Sequence, residues 1–314
     1  MIQVDNYKKS NKFILFKFMK MDYQTVLKEY KPSHDFFIGI DSDGCVFDTM
    51  EVKQKEFFIP DGIKYFDLFA IAKIVRETWE FVNLYSVYRG GNRFLSLIKV
   101  FELLNKRKEI IDSEIRLPDL TSLKEWASKE TKLGNASLLK YFESNYNPDL
   151  EKVVRWTVAV NKDISEWLHD IPPFPYARKA CEKLSCFADT IVVSQTPLEA
   201  LEREWQEHDL KKYVTLIAGQ EHGTKVEHIA FSAKGKYADD KILMIGDANG
   251  DLDAAKSNGV LFFPVIPGKE NLSWKRFLNE GLEKFLTGKF AGSYEENLLG
   301  EFRKSLPDTP PWKR

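Results

Sequence analysis

Two aspartates, Asp41 and Asp43, directly follow the apolar run Phe36–Ile40 and precede a glycine. The run indicates a buried strand, and side chains alternate along a strand, so the two carboxylates begin on the same side of the chain. Two like charges held this close are unfavourable unless a bound cation or a proton offsets one of them. In open α/β sheets, ligands bind at the carboxyl ends of the strands. The aspartate pair therefore lies where a binding or catalytic site is expected.

A second polar run follows the apolar residues 190–193, which indicate another buried strand. Ser194 and Gln195 come first, and Thr196 and Pro197 then suit the N-cap and the first residue of a helix. Hydroxyl and free backbone N–H groups at a helix start favour an anion. This run predicts a phosphate-binding loop.

The third and fourth runs add a cation and two more carboxylates. Thr224 and Glu227 fit a capping box, which places Lys225 at a helix N-terminus with its ammonium able to enter the site. Asp247 and Asp251 follow a further apolar strand that ends in a glycine. All four runs are predicted to meet at one edge of a sheet.

Strands alternate with helices after residue 172, which predicts a parallel sheet with helices on both faces. Between residues 49 and 171 the apolar spacing is only helical, so a helical insertion separates the first strand from the others and would lie over the site as a lid. We predict an N-terminal extension (1–34), a core (35–48 and 172–314) and a helical cap (49–171). The predicted strands after the first are 190–193, 213–217, 241–245 and 260–263; the predicted core helices are 176–186, 197–208, 224–234 and 249–258; the predicted cap helices are 67–88, 93–108, 120–132, 137–144 and 149–168.

Composition argues against several classes of partner. The 314 residues carry 46 basic and 47 acidic side chains, a net charge of −1, so neither a nucleic acid nor an anionic membrane is an expected partner. The sequence has no run of about 18 apolar residues that would predict a membrane span. The apolar run at positions 13–16 is too short for a signal peptide. Three cysteines, at positions 45, 181 and 186, have neither metal-site nor disulfide spacing, which favours the cytoplasm. No sequence feature indicates a number of subunits.

The four runs, in this order, resemble the four motifs of the haloacid dehalogenase-like (HAD) superfamily of phosphohydrolases: Asp41-x-Asp43-Gly44, Ser194, Lys225 and Gly246-Asp247-x-x-x-Asp251. The resemblance covers about residues 35–48 and 172–265, and the insertion is similar by position to the family's type 1 cap. It implies a Rossmann-like three-layer α/β core with a central parallel sheet, plus an inserted all-helical cap domain.

The resemblance also implies roles for these residues. Asp41 is expected to attack phosphorus and form an aspartyl-phosphate. Asp43 is expected to protonate the leaving oxygen and later to deprotonate water, which requires a raised pKa that neighbouring carboxylates would supply. Ser194, Gln195 and Lys225 are expected to hold the transferring phosphoryl group.

Magnesium is the implied cofactor, because it prefers oxygen ligands. The carboxylates of Asp41 and Asp247 and the backbone carbonyl of Asp43 can supply them. Asp251 has three possible roles: a further ligand, a residue that orients the ligands, or a partner of Lys225.

The cap contains one run, Arg89-Gly90-Gly91-Asn92-Arg93, that suits substrate binding. Its simplest interpretation is a turn between helices with two solvated arginines. The functional interpretation is a loop whose Arg89 and Arg93 guanidinium groups bind an anionic substrate. Both interpretations stay open from the sequence alone.

The sequence thus predicts a cytoplasmic, magnesium-dependent phosphomonoester hydrolase that acts on a small phosphorylated metabolite. Within the resemblance, Asp43 argues against dehalogenase or phosphonatase chemistry, because those relatives lack an aspartate at this position. A phosphosugar mutase is an alternative, since it keeps the same core and differs in its cap and in excluding water. A non-catalytic binding protein that uses the cap surface is the alternative from another class.

Overall fold

The computed structural model describes residues 23–113 and 115–313. Its central feature is a five-stranded sheet in the order β3-β2-β1-β4-β5, in which every neighbouring pair of strands is parallel. The strands are β1 (Phe36–Ile40), β2 (Ala188–Val193), β3 (Leu216–Ala218), β4 (Ile242–Gly246) and β5 (Leu261–Pro264). The α/β class with a central parallel sheet is therefore confirmed.

Helices cover both faces of the sheet and form the insertion after β1. In chain order the described α-helices are α1 (Tyr23–Glu29), α2 (Thr49–Val52), α3 (Ile59–Tyr65), α4 (Ala72–Leu84), α5 (Arg93–Leu104), α6 (Lys108–Ile111), α7 (Thr121–Lys129), α8 (Asn135–Ser144), α9 (Pro148–Trp167), α10 (Pro175–Leu184), α11 (Leu198–Glu207), α12 (Lys225–Ser232), α13 (Asn249–Ser257), α14 (Glu270–Arg276), α15 (Leu282–Leu286) and α16 (Ser293–Ser305). Helices α2–α9 belong to the insertion. No helix in the described part of the chain is both long and apolar enough to cross a membrane.

The sheet is buried on both faces because its strands are almost continuously apolar. In β1, Phe37 joins the hydrophobic cluster on one face, whereas Ile38 and Ile40 join the cluster on the other. The predicted strands 190–193, 241–245 and 260–263 match the observed ones to within two residues. The strand predicted at 213–217 begins later, at Leu216, because residues 211–213 form a 3-10 turn.

The insertion has a hydrophobic core of its own. Trp79, Trp126 and Trp156 are buried in it, and the rings of Trp79 and Trp156 pack edge to face with their centroids 5.8 Å apart. Trp167, at the end of α9, is instead 69% exposed. The five predicted cap helices correspond to α4, α5, α7, α8 and α9.

Two helical stretches of the cap were not predicted: the short helix α6 and a longer stretch at the start of the cap. Helices α2 and α3 are joined by a π-helical turn, Lys53–Phe58, directly after the first aspartate motif. A π turn adds a residue to the helical period, so the apolar positions fall out of phase and the 3.6-residue pattern disappears. This stretch, residues 49–65, begins the cap and is called the root of the cap; its Lys53 contacts Asp43.

The N-terminal part of the described chain packs on the core. In α1, Leu27 is fully buried against the cluster that contains Phe37. Lys236 donates hydrogen bonds to the carbonyl oxygens of Leu27 (2.8 Å) and Tyr30 (2.9 Å). The predicted extension 1–34 thus includes a helix that belongs to the packing of the core, and its residues 1–22 lie outside the described chain.

A buried carboxylate joins the chain before β1 to the sheet, at the end opposite the site. Asp189 of β2 is 1% exposed and accepts hydrogen bonds from the backbone N–H groups of Ser33 and His34 (both 2.9 Å) and from the Tyr237 hydroxyl (2.7 Å). Burial alone would raise the pKa of Asp189, but the hydrogen bonds from Ser33, Tyr237 and His34 outweigh it and lower the pKa below its usual value.

We expect Asp189→Asn to lower the free energy of unfolding at pH 7 by about 2 kcal/mol, because hydrogen bonds to an ionised acceptor are lost. The pKa of Asp189 is lowered by folding, so its contribution is complete above the unfolded-state pKa of about 4 and is lost as the pH falls towards the folded-state pKa. Urea unfolding between pH 7 and pH 2 should therefore show the difference between the two proteins shrinking below about pH 5. Asp35→Asn, at an exposed position next to β1, is the matched control. A difference that stays constant with pH would contradict this account.

Candidate active site

The carboxyl ends of the three central strands bring the predicted site together. Asp41 follows β1, Ser194 follows β2 and Asp247 follows β4, and all three residues are buried. The backbone N–H of Asp41 donates to the carbonyl oxygen of Ile245 (3.0 Å), so the chain stays beside β4 as it leaves β1. Parallel strands that end at one edge thus place residues far apart in sequence side by side.

Lys225 lies at the centre of a cluster of carboxylates. Its Nζ is 2.9 Å from Asp41 Oδ2 and 2.6 Å from Asp251 Oδ1. The other oxygen of Asp251 accepts from the backbone N–H groups of Asp247 (3.2 Å) and Ala248 (3.0 Å). Asp251 therefore pairs with Lys225 and also fixes the loop that carries Asp247; its role as a metal ligand stays a prediction.

The charges in this cluster shift one another's protonation. Burial and the Asp251 carboxylate raise the pKa of Asp41 well above its usual value, against the opposing effect of Lys225. Burial also raises the pKa of Asp247, although the adjacent Arg89 guanidinium opposes it. For Lys225 burial favours the neutral form, but Asp251 and Asp41 together raise its pKa and keep it charged.

The cluster fits a hard cation such as magnesium. Carboxylate oxygens of Asp41, Asp247 and Asp251 lie within 4.8 Å of one another. Asp247 Oδ1 is buried and has no hydrogen-bond partner among the described residues. A buried acceptor without a donor is costly, and magnesium takes oxygen ligands of this kind.

Asp43 is held by the root of the cap and by the loop after β2. Lys53 Nζ lies 2.7 Å from both carboxylate oxygens, and the hydroxyls of Thr49 (2.5 Å) and Thr196 (2.7 Å) each donate to one of them. Burial raises the pKa of Asp43, but Lys53 and the two hydroxyls outweigh it, and the net shift is downward. The prediction of a raised pKa from carboxylate crowding is therefore wrong, because the neighbours of Asp43 are a cation and two donors.

The loop after β2 differs by one residue from its prediction. Helix α11 begins at Leu198, so Pro197 takes the N-cap position and Thr196 precedes it. The Thr196 hydroxyl bonds Asp43 instead of capping the helix. Ser194 lies buried beneath this loop, and its Oγ accepts from the backbone N–H of Thr196 (3.1 Å). Phosphate binding by Ser194 stays a prediction.

The loop before α12 closes the other side of the site. The Thr224–Glu227 capping box is confirmed, with the Glu227 N–H donating to Thr224 Oγ1 and the Thr224 N–H donating to Glu227 Oε2. Gln195 Nε2 donates to the carbonyl oxygen of Gly223 (2.9 Å) and so ties the two loops together. Lys225 is the first residue of the helix, as predicted, whereas phosphate binding by Gln195 stays a prediction.

The two cap arginines have different surroundings. Arg89 is 5% exposed, and its Nε donates to Asp247 Oδ2 (2.6 Å). Arg93 donates to Thr157 (3.1 Å) and Asn161 (2.6 Å) within the cap, and its guanidinium lies 4.9 Å from the centre of a cap phenylalanine ring. The structure brings Arg89 to the carboxylates, so the solvated interpretation is wrong for this residue. Substrate binding by Arg93 stays a prediction.

Sequence reasoning missed residues that touch the motif loops. Thr49 and Lys53 both reach Asp43, and their spacing of four residues on one helical face is the signal that could have found them. Glu204 Oε2 accepts from the hydroxyl of Ser42 (3.0 Å), between the two aspartates of the first motif. Burial and the nearby Asp43 carboxylate raise the pKa of Glu204 to about 7. No sequence pattern indicated Glu204.

A scan of the sequence against protein-family models finds no match, and no curated protein matches it. Solved structures that match include a predicted phosphoglycolate phosphatase from Haemophilus somnus 129pt, with 16% identity and a TM-score of 0.44 over 75% of this chain and 88% of that one. A haloacid dehalogenase-like family hydrolase from Streptococcus pneumoniae matches with 14% identity and a TM-score of 0.41 over 76% and 90%. A protein assigned as a beta-phosphoglucomutase from Thermotoga maritima matches with 18% identity and a TM-score of 0.42 over 79% and 99%. The matching structures thus include proteins named as hydrolases of the HAD superfamily or haloacid dehalogenase-like family and one named as a predicted phosphatase.

We expect Gly44→Ala to destabilise the protein by about 1–3 kcal/mol, because Gly44 has a φ of 78°, a backbone angle that residues other than glycine rarely adopt. An added Cβ would also lie 2.4 Å from Arg89 Nη2 and 2.8 Å from Asp247 Oδ2. Thermal unfolding measures the change. Gly250→Ala is the control, since a Cβ at this position in α13 meets nothing within 4 Å. Equal melting temperatures for Gly44→Ala and the wild type would show that the turn is not constrained as described.

Proposed function

We propose that the protein is a magnesium-dependent phosphomonoester hydrolase that acts on a small phosphorylated metabolite. The observation that supports this most directly is the buried cluster at the carboxyl ends of β1 and β4, where Lys225 pairs with Asp41 and Asp251 beside Asp247. A carboxylate nucleophile next to a fixed cation suits phosphoryl transfer, which depends mainly on positioning and charge compensation.

In the first half-reaction, a carboxylate oxygen of Asp41 forms a bond to phosphorus while the bond from phosphorus to the ester oxygen breaks. The leaving oxygen takes a proton from Asp43 and departs as an alcohol. Lys225, which stays charged in this cluster, offsets the negative charge of the phosphoryl oxygens. The product of this step is an aspartyl-phosphate on Asp41.

In the second half-reaction, water attacks phosphorus, Asp43 takes the proton from that water, and the bond between phosphorus and Asp41 breaks to release phosphate. Asp43 is ionised in the observed arrangement because Lys53 and two hydroxyls stabilise its charged form, which suits the base step. For the acid step it must first carry a proton. A phosphate group near Lys53 would compete for the ammonium and so favour protonation of Asp43.

Asp41, Asp247 and the backbone carbonyl of Asp43 would hold the magnesium ion, with Asp251 orienting the loop of Asp247. Magnesium bound there supplies positive charge to the phosphoryl oxygens. The buried Asp247 Oδ1, which lacks a donor among the described residues, is the atom that most needs such a partner.

A mutase of the same superfamily is the second candidate. It differs by excluding water after the aspartyl-phosphate forms. The buried ion pair of Arg89 with Asp247 supports this candidate, because a cap held on the site would keep water out. One matching structure carries a beta-phosphoglucomutase assignment, and another is named a predicted phosphoglycolate phosphatase.

We expect the wild type with magnesium to release phosphate from at least one compound in a broad panel of phosphorylated metabolites, and chelation of magnesium to abolish the release. Asp41→Asn should lower kcat by about 10³-fold or more, because it removes the nucleophile. Asp253→Asn, at an exposed position on α13, is the matched control and should keep wild-type turnover.

Three outcomes would redirect the assignment. Turnover that survives Asp41→Asn would overturn the nucleophile. Conversion of one phosphosugar isomer into another, with little free phosphate, would identify a mutase. If no compound of the panel is hydrolysed or isomerised, the result would favour a binding protein that uses the cap surface.

A further inference from the structure

The cap loop 86–91, here called the Arg89 loop, is bonded to the core beside the carboxylate cluster. The backbone N–H of Val87 donates to the carbonyl oxygen of Pro307 (3.3 Å), and its carbonyl oxygen accepts from Asn249 Nδ2 (3.0 Å). Asn249 begins the helix that follows Asp247. Both backbone groups of one cap residue are thus satisfied by the core, so the loop has a defined seat on the site.

Arg89 joins a cap helix directly to the cluster. Its Nη1 donates to the carbonyl oxygen of Leu84 (2.9 Å), the last residue of α4, where the helix end carries partial negative charge. Its Nε donates to Asp247 Oδ2 at 2.6 Å, and both side chains are buried. Charges interact strongly in such a poorly solvated place, so the guanidinium neutralises much of the Asp247 charge while the cap is seated.

The two oxygens of Asp247 have different surroundings. Oδ2 is taken by Arg89, whereas Oδ1 is buried without a hydrogen-bond partner among the described residues. Asp247 is also one of the three carboxylates whose oxygens lie close enough together to hold a cation. A cation at this group and the guanidinium would therefore share one carboxylate. Two positive charges on one carboxylate repel each other, and burial keeps water from screening the repulsion.

We propose that Arg89 is a latch that links the position of the cap to the cation site with negative sign: seating the cap weakens cation binding, and cation binding loosens the cap. This inference rests on the cation site of the proposed function. Linkage makes the effect reciprocal, since a change in cation affinity caused by the seated cap equals the change in cap seating caused by the cation. A dianionic phosphate in the site would offset the repulsion, so the cap closes over a cation only when an anionic substrate is also present.

Magnesium titration by calorimetry tests the latch without an activity assay. Arg89→Gln removes the competing charge and should lower the Kd for magnesium by about fivefold or more. Arg89→Lys keeps the charge and should leave the Kd near that of the wild type. Arg93→Gln is the matched control for the Kd, because within the described residues this arginine of the same run donates its hydrogen bonds to Thr157 and Asn161 of the cap. Thermal unfolding checks that each variant is folded.

Hydrogen exchange of the Arg89 loop gives a second measurement, which needs only the wild type if a variant fails to fold. Saturating magnesium should speed exchange of the Val87 amide, which the seated loop protects. In Arg89→Gln the same amide should exchange fast with or without magnesium.

The outcomes separate the latch from the cation site. Equal magnesium affinity in the wild type and Arg89→Gln, or loop exchange in the wild type that magnesium does not change, overturns the latch and leaves the proposed function standing. A wild type that binds no magnesium, or binding that Asp247→Asn does not weaken, overturns the cation site and the latch with it.

Discussion

The ammonium of Lys225 is the charge on which the buried end of the sheet depends. It pairs with Asp41 and Asp251, whose side chains are 4% and 0% exposed. A carboxylate buried without a partner costs several kcal/mol. Asp41, after β1, and Asp251, in the first turn of α13, therefore need the Lys225 ammonium in order to be buried side by side. As the first residue of α12, Lys225 also lies near N–H groups that disfavour a cation. The capping box satisfies some of those groups, which indicates that this position serves the site at some cost to the helix.

The cap completes the charge balance that Lys225 begins. Asp43 and Asp247 flank Asp41, and their cationic partners, Lys53 and Arg89, both come from the insertion. The core alone would carry two buried or half-buried carboxylates without these partners. The insertion is therefore a part of the electrostatics of the site as well as a cover over it, and its own hydrophobic core holds the helices that position the two cations.

Sequence reasoning succeeded where a residue's place follows from a strand end or a helix start. Asp41 and Asp247 each follow an apolar run, and parallel strands end at one edge, so their meeting could be predicted. Lys225 was placed by its capping box. The surroundings of Asp43 were missed, because a π-helical turn that begins at Lys53 hides the helical period, and the four-residue spacing of Thr49 and Lys53 was the one signal left. The choice between two interpretations of Arg89 depends on how the cap docks, which no local pattern records.

The two cap cations lie at different positions along the insertion. Lys53 lies on the first helical turns after β1, close to where the insertion leaves the core, whereas the Arg89 loop follows α4 and lies farther along the insertion. A cap that pivots where it leaves the core would displace Lys53 less than the Arg89 loop. Movement of the cap away from the core would therefore separate Arg89 from Asp247 before it separates Lys53 from Asp43. The uncovered site would be more negative at Asp247, which attracts a cation and repels a phosphate. Under the proposed latch, the cation binds before the anion, and the anion binds before the guanidinium returns. The order of events follows from the placement of the two cations along one insertion.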